Sequence, residues 1–292
     1  MKVLLTGSNG FIGSYIANEL KKHFYIVGCD LSDFDKNNLD LYYKWKMGDE
    51  SIPPELENEK FDVIIHTAAC LDMDDSNVDL LKVNCIGTHQ LFVFAKKAMA
   101  SSVILLSSIP MVGNPVDTID ENSPINPKTL YHSTKYMQEL ILKQLEKYNI
   151  RFASLRIPSP VGPNQPIKTI VPRFIQSAIN GNDILLYGKG TRRQNYVDVR
   201  DIACYVTKMA LCSKINGVYV LGSNSTVSNY ELAEKCIKYS NSRSKIVFCD
   251  VPDDCDEQVW RIDSSKINNL LGMSLSYSID ETIKDMIKIM KK

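Results

Sequence analysis

The chain has 292 residues, with 34 basic against 34 acidic and a formal net charge of zero. That length accommodates one large core or a main domain with a smaller lobe, and the even charge excludes nucleic acid as a main partner, since phosphate backbones select for basic excess. No apolar run reaches the roughly 18 residues of a membrane helix, a first strand at Lys2 leaves no room for a signal peptide, and eight scattered cysteines without a Cys-x-x-Cys pair read as reduced thiols, so a cytoplasmic protein is expected.

The apolar run Lys2-Val3-Leu4-Leu5 reads as a buried strand that turns through Thr6-Gly7-Ser8-Asn9-Gly10-Phe11-Ile12-Gly13 into a helix. Geometry explains the glycines. A tight turn needs one without a Cβ, a pyrophosphate approaches the backbone at the second, and the helix packs closely on the strand at the third. Phosphates would then sit on the free N–H groups of the helix N-terminus, with Phe11, Ile12 and Gly13 in its first turn. Ile12, Ile16 and Leu20 at helical spacing carry this helix to Lys22. The next strand, Tyr25-Ile26-Val27-Gly28-Cys29, ends in Asp30, 20 residues after Gly10. A carboxylate there binds both ribose hydroxyls of an adenosine and repels a 2′-phosphate, which favours NAD over NADP. The plainer reading of Asp30 is a strand-ending turn aspartate.

Strands and helices continue to alternate: a strand at 63–65, a helix over 83–99, a strand at 103–106, a helix over 130–148 and a strand at 152–155. Such alternation predicts a doubly wound, parallel α/β sheet of the Rossmann type. After Arg156, Pro158, Pro160, Gly162, Pro163 and Pro166 mark chain leaving the sheet. Helices are expected near 198–211, 228–239 and 279–290, with short strands at 218–221 and 245–248. Residues 1–157 are therefore read as the NAD-binding domain, joined again by about 196–222. Residues 158–292 form mainly a smaller α/β substrate lobe, and the cleft lies between the two.

Tyr131-His132-Ser133-Thr134-Lys135 puts a phenol and an ammonium four residues apart on one helical face. A free tyrosine is a poor base at neutral pH; a neighbouring ammonium and an oxidised nicotinamide would lower its pKa. Tyr131 would then take a proton from a substrate alcohol. The strand ending Leu105-Leu106-Ser107-Ser108 delivers two hydroxyls to the same sheet edge, one of them able to hydrogen-bond the reacting oxygen. His66 and His132 read as packed histidines, Cys70 as a structural thiol near the cleft, and four scattered histidines predict no metal site.

On these motifs the chain resembles the extended short-chain dehydrogenase/reductase family, in particular its NAD-dependent nucleotide-sugar epimerases, dehydratases and reductases, over nearly its whole length. Thr6 to Gly13 match the family's glycine motif; Gly48-Asp49 look like the pair whose aspartate contacts the adenine amino group. His66-Thr67-Ala68-Ala69 and Asn84 before Gly87-Thr88 match the cofactor-lining motifs, Ser107 included at the next strand end. The resemblance implies Ser108, Tyr131 and Lys135 as the catalytic set, with Lys135 also binding the nicotinamide ribose. Arg156 to Pro163, Gly188-Lys189-Gly190, Tyr196 to Asp201, and Arg261 followed by Leu271-Gly272 match C-terminal landmarks.

The departures carry information. Ile109-Pro110 follow Ser108 where the family's 4,6-dehydratases have an Asp-Glu pair, which leaves dehydration without its proton carriers. Ser159 stands where many relatives have asparagine near the diphosphate, and Gln194-Asn195 where they have Arg-Asp. Arg192 or Arg193 is expected to replace that arginine after a register shift, beside Arg261; both are otherwise a solvated pair. The resemblance thus implies an NAD-dependent nucleoside-diphosphate-sugar epimerase, most simply at C4, which works as a homodimer. The alternatives are a reductase or dehydrogenase of a 4-keto sugar nucleotide or small alcohol, and a non-catalytic NAD sensor.

Overall fold

Val3, Leu4 and Leu5 are wholly buried, and so are Ile64 and Ile65 on a second short run. Strands apolar on both faces need helices above and below, which is how this chain is built. The computed structural model describes residues 1–114 and 118–292. In chain order the first half reads β1 (Lys2–Thr6), α1 (Phe11–Leu20), β2 (Tyr25–Asp30), β3 (Leu41–Lys44), β4 (Val63–His66), α2 (Asp79–Leu81), α3 (Thr88–Lys97), β5 (Ser102–Ser108), α4 (Leu130–Lys143) and β6 (Arg151–Ile157). The second half adds β7 (Ser159–Val161), α5 (Ile170–Ile179), β8 (Ile184–Leu186), β9 (Arg193–Gln194), β10 (Tyr196–Asp198), α6 (Val199–Leu211), β11 (Gly217–Val220), β12 (Val227–Ser228), α7 (Asn229–Ser240), β13 (Ile246–Phe248), α8 (Ser265–Leu271) and α9 (Ile279–Met290).

Seven strands form one sheet in the order β11-β6-β5-β4-β1-β2-β3, every pairing parallel. The chain winds outward from β1 to β3, then returns and winds the other way from β4. The carboxyl ends of β1 and β4 therefore flank the crevice where ligands of such sheets bind. On one face Ile16, Ala17 and Leu20 of α1 pack with Ile202, Tyr205 and Met209 of α6. On the other, Leu91 and Phe94 of α3 meet Leu142 of α4. A separate cluster joins α5, α7 and α9 through Ile175, Leu232 and Ile283.

Several elements differ from expectation for identifiable reasons. The helix expected over 83–99 opens as a π-helical turn, Lys82–Gly87, between α2 and α3. A Cβ on Gly48 would lie 2.1 Å from the Lys82 carbonyl oxygen, so the preceding loop is pressed against this turn. The helix over 130–148 tightens after Lys143 into a 3-10 turn that ends at Asn149 in the left-handed region. The proline-marked stretch after Arg156 still holds α5, because Pro172 falls in its first turn, where its missing N–H is not needed. The short strands β3, β7 to β10 and β12, and the seven-residue α8, lie below the length at which periodicity speaks.

Candidate active site

The turn after β1 is tight enough to demand glycine. Gly7 has φ 72°, and a Cβ there would come within 2.7 Å of the Ala68 amide nitrogen beyond β4. A Cβ on Gly13 would fall 1.9 Å from the Gly7 carbonyl oxygen, so α1 starts in direct contact with the turn. Gly10 N–H donates to the Gly7 carbonyl, and the amides of Phe11, Ile12 and Gly13 open α1 with no intrahelical acceptor of their own. Thr67 caps the crevice from the β4 side: its hydroxyl donates to the Thr6 carbonyl at 2.7 Å. Ala68 and Ala69 continue this wall, half-buried. Asp30 ends β2 with one carboxylate oxygen accepting from the Asn9 amide at 2.8 Å and the other from Leu31 at 2.7 Å. This fixes the carboxylate against the glycine turn. Asp49 lies between the Lys46 and Lys82 ammonium groups at 2.6 and 2.7 Å, and their hydrogen bonds hold it below the usual carboxylate range.

Ser108, Tyr131 and Lys135 come from β5 and the start of α4. Thr129 caps α4 by accepting from the His132 amide, which starts the helix at Leu130, one residue before Tyr131. Tyr131 is almost wholly buried; burial pushes its phenol well above 10, and the nearby Cys70 thiol adds to this. Lys135 is buried to 4% exposure, its Nζ donates to the Leu106 carbonyl at 2.7 Å, and burial pushes its pKa down to about 8. In the chain by itself the Tyr131 phenol is therefore raised rather than lowered, with burial as the largest cause. Ser107 is buried with its hydroxyl unpartnered, and Ser108 follows, half-buried, where β5 gives way to the turn Ile109–Val112.

Asn84, from the π-helical turn, ties these pieces together. Its Oδ1 accepts from the Cys70 amide at 2.8 Å, and its Nδ2 donates to the Cys70 carbonyl and to the Thr134 hydroxyl. Thr134 in turn donates to the Tyr131 carbonyl. His66 is fully buried among Thr6, Thr88 and Gln138, and burial pushes its pKa down to about 3, so it stays neutral.

The C-terminal candidates divide. Arg193 is committed elsewhere: its guanidinium makes two bonds to Glu231 and two more to Thr226. Of the two arginines, only Arg192 keeps the expected role open, and its Nε is buried without a partner near Tyr196. Gln194 donates to Asn229, Ser159 is half-buried beside Asn195, and Arg261 is exposed. Trp260 escaped sequence reasoning. It is 7% exposed, its indole N–H has no partner, and it shares a cluster with Ile109, the residue after Ser108. A large aromatic directly before Arg261 was the available signal. An open depression of about 900 Å³ between α7 and α9 is lined by none of these candidates, though Thr226 and Glu231, the partners of Arg193, border it.

Residues 3–222 match the NAD dependent epimerase/dehydratase family. The chain belongs to that family. It is accordingly an NAD-dependent enzyme of the extended short-chain dehydrogenase/reductase type. A dTDP-D-glucose 4,6-dehydratase of Dictyostelium discoideum is 29% identical over 82% of this chain, which spans 62% of that protein's length. A putative UDP-glucose 4-epimerase of Methanocaldococcus jannaschii is 28% identical over 99% of this chain and 98% of its own. The UDP-glucose 4-epimerase of Thermotoga maritima, solved with UDP-glucose, shares the fold with a TM-score of 0.86 at 22% identity, over 100% of this chain and 99% of that one. The crevice fits the family's cofactor: a cradle that any Cβ would fill lies at a helix N-terminus, and the buried Ser107 hydroxyl lacks a partner. No described helix is long and apolar enough to cross a membrane, and among the described residues no His, Cys, Asp or Glu cluster is placed to hold a metal.

Proposed function

We propose that this family member is a nucleoside-diphosphate-sugar 4-epimerase. The observation that carries this reading is the pair after Ser108. Ile109 is wholly buried in an apolar cluster with Val112, Ile119 and Trp260, and Pro110 has no ionisable group. A dehydratase must move protons at two further carbons, and neither residue carries one. Bound NAD would supply a hydride acceptor that can also return the hydride and, in its oxidised form, a positive charge. Gly7, Gly10 and the first turn of α1 would hold its phosphates, Asp30 its adenosine ribose and Asp49 its adenine. Thr67, Ala68, Ala69 and Ser107 would line the path between them, with Asn84 wholly buried behind it on Cys70 and Thr134.

Tyr131 takes the proton of the sugar 4-hydroxyl and gives it back to the same oxygen after the 4-keto sugar has turned over, so that the hydride that bound NAD would return adds to the opposite face of C4. Ser108 holds the 4-oxygen in both forms. Lys135 supplies positive charge to Tyr131 and binds the nicotinamide ribose. Ser159, Arg192, Gln194 and Arg261 would hold the diphosphate, with residues 158–292 as the lobe that closes on it. Ile86, Val93, Met137 and Leu140, apolar and exposed on the π-helical turn, α3 and α4, support a homodimer seam. The test is NMR of UDP-glucose and dTDP-glucose incubated with the purified protein. The 4-epimer without net redox is expected, whereas a 4-keto-6-deoxy product would make the protein a dehydratase. Tyr131→Phe should lower turnover at least about 100-fold with the fold intact. NAD released stoichiometrically on denaturation would match a cofactor recycled in place; an empty protein would favour the reductase alternative.

A further inference from the structure

A buried charge pair lies behind Lys135 with no part in the scheme above. Glu139 follows Lys135 by one helical turn on the same face of α4, and each is 4% exposed. Arg156 of β6 grips Glu139 with Nε on Oε1 at 3.0 Å and Nη2 on Oε2 at 2.7 Å, while the Ser154 hydroxyl donates to the same Oε1 at 2.7 Å. Ser154 and Arg156 alternate along β6 and so point to the face that α4 covers. Ser107 stands in register with Arg156 on β5. Its hydroxyl and Arg156 Nη1 are both buried without a partner, so the cluster is polar beyond what the pair itself satisfies.

Such a pair does little for stability, since burying two charges costs about what their attraction returns, and hydrocarbon of the same shape often serves as well. Its position suggests another use. Lys135 has its ammonium in the interior with a backbone carbonyl as its hydrogen-bond acceptor. The negative charge that reaches it is that of Glu139. We propose that Glu139 is a positioning residue that keeps the Lys135 ammonium charged inside the protein, and that Arg156 limits how strongly it does so. This rests on Lys135 being the partner of Tyr131.

Apart from Arg156, the other described groups around Lys135 supply no competing charge. On α4, Tyr131 is a neutral phenol; on β4, His66 is neutral; at the Tyr131 end the Cys70 thiol is pushed up by burial and by Asp72 and Asp79. From β5 come the Leu106 carbonyl and the Ser107 hydroxyl, and from β6 only Arg156 carries charge. Burial and Glu139 therefore oppose each other at Lys135, with burial ahead.

The experiment is a pH titration of the protein labelled with [13Cε]lysine, followed by NMR, the Lys135 resonance being the one absent from Lys135→Met. Wild-type protein should titrate near 8 at this residue. Glu139→Gln should lower the midpoint by about one unit or more, and Arg156→Met, which leaves Glu139 unbalanced, should raise it. Opposite shifts are the signature, because mere loosening of the fold would move both variants toward the exposed-lysine value. Unchanged midpoints, or shifts in one direction, overturn the proposal. Should a single variant not fold, the doubly neutral Glu139→Gln/Arg156→Met protein should titrate below wild type, and a midpoint at or above wild type is equally fatal. The titration needs neither substrate nor cofactor, so its failure stands apart from failure of the epimerase reading, which product analysis decides.

Discussion

Burying an ammonium group costs free energy, and Lys135 carries that cost in the folded state. Its pKa falls from 10.5 in the unfolded chain to about 8. Between those values the unfolded chain holds the extra proton, so stability from this group rises as pH rises through the window and is lowest below it. At pH 7 the charged form costs at most on the order of 3 kcal/mol. Lys135→Met is therefore expected to raise the thermal midpoint at pH 7 while abolishing turnover; a lower midpoint would mean that the Leu106 bond and the Glu139 field outweigh desolvation. Asp30 makes a second residue-scale case. Its carboxylate is already oriented by the Asn9 and Leu31 amides, which leaves it facing the cofactor end of the crevice. Asp30→Ala should narrow the preference for NAD over NADP by about tenfold or more, the scale of one lost charge-assisted interaction. An unchanged ratio of the two affinities would show that Asp30 does not read the ribose. Both residues were legible in the sequence, since each sits at a motif position; the depth at which Lys135 lies was not.

At the scale of elements, the π-helical turn is the clearest case of structure overriding periodicity. Its pattern reads as plain helix, because Leu80, Asn84, Gly87, Leu91 and Phe94 all face inward at helical spacing. The wider turn is set by contact with the Gly48 loop and by Asn84, whose side chain makes three bonds to Cys70 and Thr134. Asn84→Ala would leave those buried partners unpaired and should cost about 1–3 kcal/mol in chemical denaturation. Turnover should fall as well, because Thr134 lies one turn below Tyr131. Full activity with lost stability would make Asn84 a purely structural tie. The same scale explains Arg192 and Arg193. Spacing places both near the missing family arginine, but only the pairing of β9 with β12 shows which one Glu231 removes.

At the scale of the molecule, the apolar residues left exposed on α3 and α4 are not covered by any of the described residues. Val93, Met137 and Leu140 are each more than 40% exposed, with Ile86 beside them on the π-helical turn. Leu140→Glu would bury a charge in any seam formed there and should turn a dimer into a monomer in light scattering coupled to gel filtration. A wild-type protein that is monomeric at micromolar concentration would end the homodimer proposal. One further thing became visible only at this scale: Trp260, far along the chain, packs beside Ile109.

The sequence by itself determined the doubly wound sheet, the glycine turn that opens α1, Asp30 at the end of β2, and Tyr131 and Lys135 one helical turn apart. All of these rest on local rules: alternating apolar runs, the steric demand for glycine in a tight turn, and the four-residue repeat of a helix. Tertiary structure alone decided which polar groups found partners. Arg193 is spent on Glu231, Asn84 bridges a loop to α4, and Glu139 with Arg156 lies buried behind Lys135. The physical reason is that ionic and hydrogen-bond pairing depends on distances between segments far apart in the chain, and desolvation depends on what all of them together exclude from water.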